Sequence, residues 1–342
     1  MSKKPNAPSL EQWKHLYELM DEIRKLAPWE FMFEDNIFGV QFPETGKLGF
    51  VSVMGNLGEH LAVAVYEGKK GFEGFMTMQR MGDMLTPDIV LQVPQLQASF
   101  EDREMITPED RKVIKELNLK FRGRQAWTQF RSYRPGCFPW YLEEEEAQSL
   151  IHALEQLLDV APRFENDPDL LEPSEKDETY LVRVFENEKW IDQRQKITFP
   201  ADPPLQLKMN MDALNHLKTL PKENSIVEVD VQMMEDAVKD KSSDRPFFPF
   251  MFMMADKQSR MILGVDLLLP LPSLEEMWEI IPAKVTETLA NYMLPKEVQT
   301  KDPMIALLLS PLEKELGTKV KLVSRLPAIE FAQRELRNFT RR

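Results

Sequence analysis

The chain has 342 residues, with 43 basic and 56 acidic side chains and a formal net charge of −13. Apolar residues make up 43% and charged residues 29%, which is globular rather than disordered, and the length predicts two domains, each able to bury a core. The anionic balance disfavours general nucleic-acid binding, and the single cysteine, Cys137, excludes an intramolecular disulfide and any zinc site built on two or more thiolates.

The first residues lack the apolar core of a signal peptide. The longest uncharged apolar run, Pro246 to Ala255, is about half a membrane span. The sequence therefore reads as cytoplasmic, with no membrane partner. Ser9 to Leu26 is predicted as a helix, with Ser9 as N-cap and an apolar stripe of Leu10, Trp13, Leu16, Tyr17, Met20 and Ile23. Strands are predicted at Ile37–Phe42 and Leu48–Met54, a hairpin around Pro43-Glu44-Thr45-Gly46-Lys47, and at Leu61–Tyr66. Gly68–Met81 follows as a helix weakened by Gly71 and Gly74. Leu96–Phe100 reads as a fourth strand, Thr107-Pro108-Glu109-Asp110 opens a short helix, and Phe130–Tyr133 is extended. Leu142 to Val160 is a helix headed by four glutamates.

The acidic, proline-containing stretch 166–179 reads as a linker between an N-terminal domain, 1–165, and a C-terminal domain, 180–342. Beyond it, strands are predicted at Thr179–Phe185, Trp190–Phe199, Ile226–Met233, Pro246–Met254, Met261–Leu269, Val298–Thr300 and Lys319–Val323. Helices are predicted at Asp212–Leu220, at Ser273–Met293 with an interruption at Pro282, at Pro303–Leu316 closed by Gly317, and at Pro327–Phe339. From Ile226 the order is βββ-α-β-α-β-α. The first half has a loosely similar order, which raises a duplicated fold as an expectation. The class is α+β: two domains, each a mixed, mostly antiparallel sheet with helices packed on it.

Two resemblances follow. The runs Leu26-Ala27-Pro28-Trp29-Glu30, Pro43-Glu44-Thr45-Gly46, Val51-Ser52-Val53-Met54-Gly55 and Gly58-Glu59-His60, with Phe121-Arg122-Gly123 and Pro139-Trp140 later, resemble a bacterial two-domain family of unknown function. That resemblance implies no activity and no catalytic residue. The second half is similar in topology to the ribonuclease-H/integrase fold. That resemblance implies a carboxylate set holding divalent magnesium or manganese: Asp230 on the first strand, Asp302 after the fourth, and Glu330 or Glu335 on the last helix.

Among other constellations, His15, His60, His152 and His216 lack metal-ligand spacing and read as surface or capped histidines. Glu59-His60, in a glycine-bearing loop, suits either a tight turn or acid–base work. No GxGxxG, phosphate loop or GxSxG elbow is present. From Arg111 to Arg134 there are eight basic residues and one acid. Within and beside this stretch Arg122, Arg124, Arg131 and Arg134 alternate with Trp127, Phe130, Tyr133 and Trp140. Such a pattern stacks rings or grips an acidic partner, or else builds a folded loop whose arginines pair with Glu143–Glu146. The function expected is non-catalytic binding of an unidentified protein or small ligand, without an evident cofactor. The alternative is a divalent-metal nuclease or phosphodiesterase on the C-terminal domain.

Overall fold

The structure is a computed structural model that describes residues 6–174, 178–241 and 243–340. Contacts divide the chain into two compact units, Met1–Ala201 and Asp202–Arg342. Among the described residues no helix is long and apolar enough to cross a membrane.

The first unit opens with α1 (Leu10–Leu26). The Ser9 hydroxyl accepts from the Gln12 amide at 3.1 Å, and the Ser9 amide donates to Gln12 Oε1 at 2.9 Å, a reciprocal cap that fixes the helix start. There follow β1 (Phe38–Gln41), β2 (Leu48–Met54), β3 (Ala62–Glu67), α2 (Gly68–Met81), α3 (Pro87–Val90), β4 (Gln95–Glu101), α4 (Pro108–Glu116), β5 (Trp127–Tyr133), α5 (Glu144–Asn166), β6 (Thr179–Glu186) and β7 (Lys189–Lys196). The strands form one seven-stranded sheet in the order β5-β4-β3-β2-β1-β6-β7. All neighbours are antiparallel except β1 and β6, which run parallel.

Alternation splits this sheet into two apolar faces. Val51, Val53, Val63, Val65, Leu96 and Ala98 turn to one side and pack with α1 and α5 through residues such as Met20, Ile23, Leu150 and Leu154. Each such large side chain withdrawn from water contributes about 1.5–3 kcal/mol. Phe50, Ala64 and Tyr66 turn to the other side and meet Phe75 and Met78 of α2. Gly71 explains how α2 lies so close to the strands. A Cβ there would come within 2.7 Å of the Tyr66 carbonyl carbon and 3.0 Å of the Pro94 oxygen. A glycine that weakens the helix in isolation is what lets it dock.

The second unit comprises α6 (Met211–Thr219), β8 (Lys222–Met233), β9 (Phe250–Asp256), β10 (Ile262–Leu268), α7 (Leu274–Glu279), α8 (Ile281–Ala290), β11 (Leu294–Thr300), α9 (Pro303–Leu316), β12 (Lys319–Leu322) and α10 (Pro327–Thr340). Its five-stranded sheet has the order β10-β9-β8-β11-β12. The β8–β9 and β9–β10 pairs are antiparallel, and the β8–β11 and β11–β12 pairs are parallel. Val227, Val229 and Val231 face the helices α8 and α9. On the other face Met253 and Ala255 meet Ala328, Ile329 and Ala332 of α10.

The α+β class and the βββ-α-β-α-β-α order from Ile226 agree with the sequence reading, with Pro282 starting α8 after the break. Three expectations differ. The contact division falls at 201/202 rather than at a linker over 166–179, because β6 adds to β1 and carries β7 with it into the first sheet. Of that expected linker, residues 175–177 lie outside the described residues. The two sheets share an antiparallel meander with a later strand parallel beside its first strand, but they are not simple copies: β4 and β5 extend the first sheet beyond β3, and β7 is antiparallel to β6 whereas β12 is parallel to β11. And the second sheet is evenly split between parallel and antiparallel pairs rather than mostly antiparallel.

Candidate functional site

The Arg/aromatic segment lies on β5 and the loops around it, and its cations fall into two groups. Arg131 and Arg134 are committed to carboxylates. Arg131 sends Nη1 to Asp110 Oδ1 at 3.0 Å and Nη2 to Asp110 Oδ2 at 2.7 Å, a two-pronged pair whose side chains are only 11% and 9% exposed. Its guanidinium also donates to the Phe130 carbonyl and lies 5.0 Å from the Tyr141 ring centre. Asp110 is held in place by the Thr107 cap that opens α4. Arg134 bridges Glu143 at 2.8 Å and Glu146 at 2.7 Å. Burial alone would lower its pKa, but the hydrogen bonds to these two carboxylates outweigh it and hold the pKa above the ordinary arginine value. Trp140 is part of the same clamp, exchanging backbone hydrogen bonds with Ser132 and packing with its ring tilted 59° to that of Tyr141, centroids 4.8 Å apart. These residues lock the chain into its fold.

Arg122 and Arg124 are exposed, and Arg124 approaches Asp102 only to 4.0 Å. Trp127 is half-buried, packed 5.6 Å from Phe121 with the Arg103 guanidinium 5.9 Å from its ring centre. It forms one wall of an open groove of about 520 Å³ shared with α4 and the residues after it. Four cations line that groove: Arg103, Arg111, Lys115 and Lys120. No acidic side chain lines it, and none of the four is in an ion pair among the described residues. The Arg111 guanidinium donates to the Arg103 carbonyl at 3.3 Å, which holds those two cations side by side. Sequence reasoning counted three of these four within the basic stretch but singled out the arginines between aromatic residues. The helical spacing of Arg111 and Lys115 on α4 was the signal that would have found the groove.

Glu59 and His60 follow directly on a tight turn over Gly55–Gly58. Gly58 N donates to Gly55 O at 2.8 Å, and the Gln125 carboxamide donates to the carbonyls of Gly58 and Glu59. His60 Nδ1 lies 3.8 Å from Glu101 Oε1. Cys137 is half-buried in the turn after Arg134.

In the second unit three of the four candidate metal ligands, Asp230, Asp302 and Glu330, are engaged elsewhere. Asp230, on β8, is 2% exposed, with Oδ2 3.0 Å from the Lys301 ammonium. Burial pushes its pKa up, Lys301 opposes this, and the neighbouring Asp302 reinforces it. Asp302 caps α9, with Oδ1 accepting from the Met304 amide at 2.7 Å. Glu330 pairs with Arg325 at 2.6 Å, and this pair holds its pKa low. Glu335 is an exposed residue of α10. Among the described residues no three His, Cys, Asp or Glu side chains lie close enough to hold a metal ion. The residues present therefore do not fit a magnesium or manganese pair, and the positive charge beside Asp230 and Asp302 is that of Lys301. One carboxylate went unnoticed in the sequence: Glu228 on β8 is fully buried and accepts from the Ala328 and Ile329 amides at the start of α10, at 2.9 and 3.2 Å.

Residues 13–183 match a family described as Domain of unknown function (DUF7309), and residues 213–337 match Domain of unknown function (DUF6930). The comparison with curated proteins finds no match.

Proposed function

Since the chain belongs to the DUF7309 family, with a DUF6930 domain behind it, we propose that it is a non-catalytic binding protein of the bacterial cytoplasm that takes an anionic ligand in the groove beside Trp127. The observation that carries this is the groove's charge. Four cations converge on it without a counter-ion, on a chain whose net charge is −13. Arg131 and Arg134, later in the same segment, are paired with carboxylates, so the groove keeps its charge where they do not. Trp127 adds a ring face on which a planar or apolar part of the ligand can rest. On the second unit, the non-catalytic reading is supported by Lys301, which supplies to Asp230 the charge a metal would bring. The finer fold reading, a ribonuclease-H-like second unit, is supported by the strand order of its sheet, third-second-first-fourth-fifth with the second strand antiparallel to the rest.

Tripolyphosphate is the probe. Titrated at low salt and followed by tryptophan fluorescence, it should bind with an affinity that falls as salt rises, because exposed charges are screened. The double substitution Arg111→Ala and Lys115→Ala should weaken it at least about tenfold, the loss of two exposed charge contacts, without moving the melting temperature. Absence of binding by the wild type, or equal binding by the double variant, would overturn the assignment.

A further inference from the structure

The face of the first sheet under α2 contains a second cavity, of about 300 Å³, with a different chemistry. Its floor comes from adjacent strands: Tyr66 pairs with Gln95 across β3 and β4, and Gln97 lies two residues along on the same face. These three side chains belong to residues only 4%, 2% and 8% exposed. Gln97 is held, its Oε1 accepting from the Tyr133 hydroxyl at 3.0 Å and its Nε2 facing Met54 Sδ at 3.8 Å. The Gln95 carboxamide and the Tyr66 hydroxyl make no hydrogen bond to any described protein group. Both line the cavity. Their polar atoms reach the space of the cavity, where an occupant can take their hydrogen bonds.

We propose that this cavity is a binding pocket for an amino-bearing nucleobase. The walls say what the ligand is. Among the described residues that line it Glu34 is the one acid and there is no cation, so an anion has no counter-charge here. The free Gln95 carboxamide offers a donor and an acceptor side by side, the edge that pairs two-pronged with an amino group next to a ring nitrogen. Tyr66 supplies a further hydroxyl, and the Glu34 carboxylate accepts from an outward-facing amino group. Met54 and Met78 bring polarisable thioethers, which suit the face of a flat ring. The volume is at the small end of ligand pockets and fits one ring system rather than a dinucleotide. Burial pushes the Glu34 pKa up and Asp35 adds to this, outweighing the opposing His60.

The pocket is independent of the basic groove, and the test separates them. Adenine and cytosine are titrated into the full chain by calorimetry and ligand-observed NMR, alongside Gln95→Leu and Tyr66→Phe. At least one base should bind below about 1 mM. Gln95→Leu should weaken it at least about tenfold, the value of a two-pronged pair, and Tyr66→Phe by less. Gln95→Leu should leave the melting temperature unchanged or raise it, because the amide it removes has no protein partner, and should leave tripolyphosphate binding intact. If neither base binds, or if a base binds equally to both variants, the proposal fails.

Discussion

Asp110 in the first unit and Asp230 in the second are both buried aspartates touching a cation, and the two pairs are built in opposite ways. Asp110 meets a guanidinium that is itself buried, through two parallel hydrogen bonds, and its second oxygen also takes the Thr107 hydroxyl and amide. Asp230 meets an ammonium on a side chain 44% exposed, by a single 3.0 Å ion contact. That contact lacks hydrogen-bond alignment, and Oδ2 is left buried without a bonded partner. On the same face of β8, Glu228 repeats the pattern: one oxygen serves the start of α10 and the other, Oε1, is orphaned. A buried charge returns its desolvation cost only when the partner is equally buried and every lone pair is used. The first unit meets that condition and the second does not. Part of the segment that looked most like a binding surface, Arg131 and Arg134, is therefore a clamp, and Asp230, the first of the candidate metal ligands, is left short of partners.

The same conservative change tests this contrast in both places. Asp110→Asn removes the charge facing Arg131 and leaves that guanidinium buried without a counter-ion. It should cost the first unit about 3–5 kcal/mol, read from urea unfolding at neutral pH. A loss below about 1 kcal/mol would mean that Arg131 finds water or another acid, and that the pair is ordinary surface electrostatics. Asp230→Asn should act in the other direction, raising the stability of the second unit by about 1 kcal/mol at neutral pH. Because burial raises this carboxyl's folded-state pKa above its ordinary value of 3.8, the ionisation penalty is present above the raised value and vanishes as pH falls to the unfolded one. The advantage of the asparagine should therefore shrink toward about pH 4. Destabilisation by Asp230→Asn at neutral pH would show that Lys301 and Asp230 form a working pair after all.

What the sequence revealed, and what it hid, follows the range of the interaction responsible. The start of α1 is written locally in Ser9, Gln12 and the apolar spacing that follows, and it is where the reading placed it. The hairpin of β1 and β2 was equally legible from Pro43-Glu44-Thr45-Gly46-Lys47. The division of the chain was not, because the pairing of β6 with β1 joins Gly39 to Val182, far apart in sequence, and no local composition announces it. The acidic stretch read as a linker even holds a buried residue, Leu171, packed into the first core. The two kinds of cation in the candidate site were not separable for a related reason. A count of charges registers Arg131 and Lys115 alike, and only the fold brings Asp110 to the one and leaves the other in an open groove. Gln95 and Tyr66 carry no signal in one dimension at all, since a glutamine on a strand is informative only once its burial is known.

The histidines supply a third, weaker kind of pair that sits between these extremes. His152 Nε2 lies 2.9 Å from Glu44 Oε1, its Nδ1 lies 3.5 Å from Glu155 Oε2, and the other oxygen of Glu155 is 2.9 Å from His15 Nε2. Gln148 also contacts the ring nitrogen, and Trp190 packs 5.7 Å from the ring. Burial lowers the His152 pKa, but its bonds to Glu155 and Glu44 outweigh this and raise it above 6.5. The stabilisation from the charged ring is then fully present below the unfolded value and lost as pH rises through the raised folded one. His152→Gln should thus cost less than about 1 kcal/mol near pH 6, since Glu44 and Glu155 are partly exposed and screened. Near pH 9 the charge contribution should be gone, and any remaining difference is packing. Urea unfolding of both proteins at the two pH values reads it. A difference that stays constant would mean that His152 is a neutral hydrogen-bonding ring that adds no charge term to the stability of the first unit.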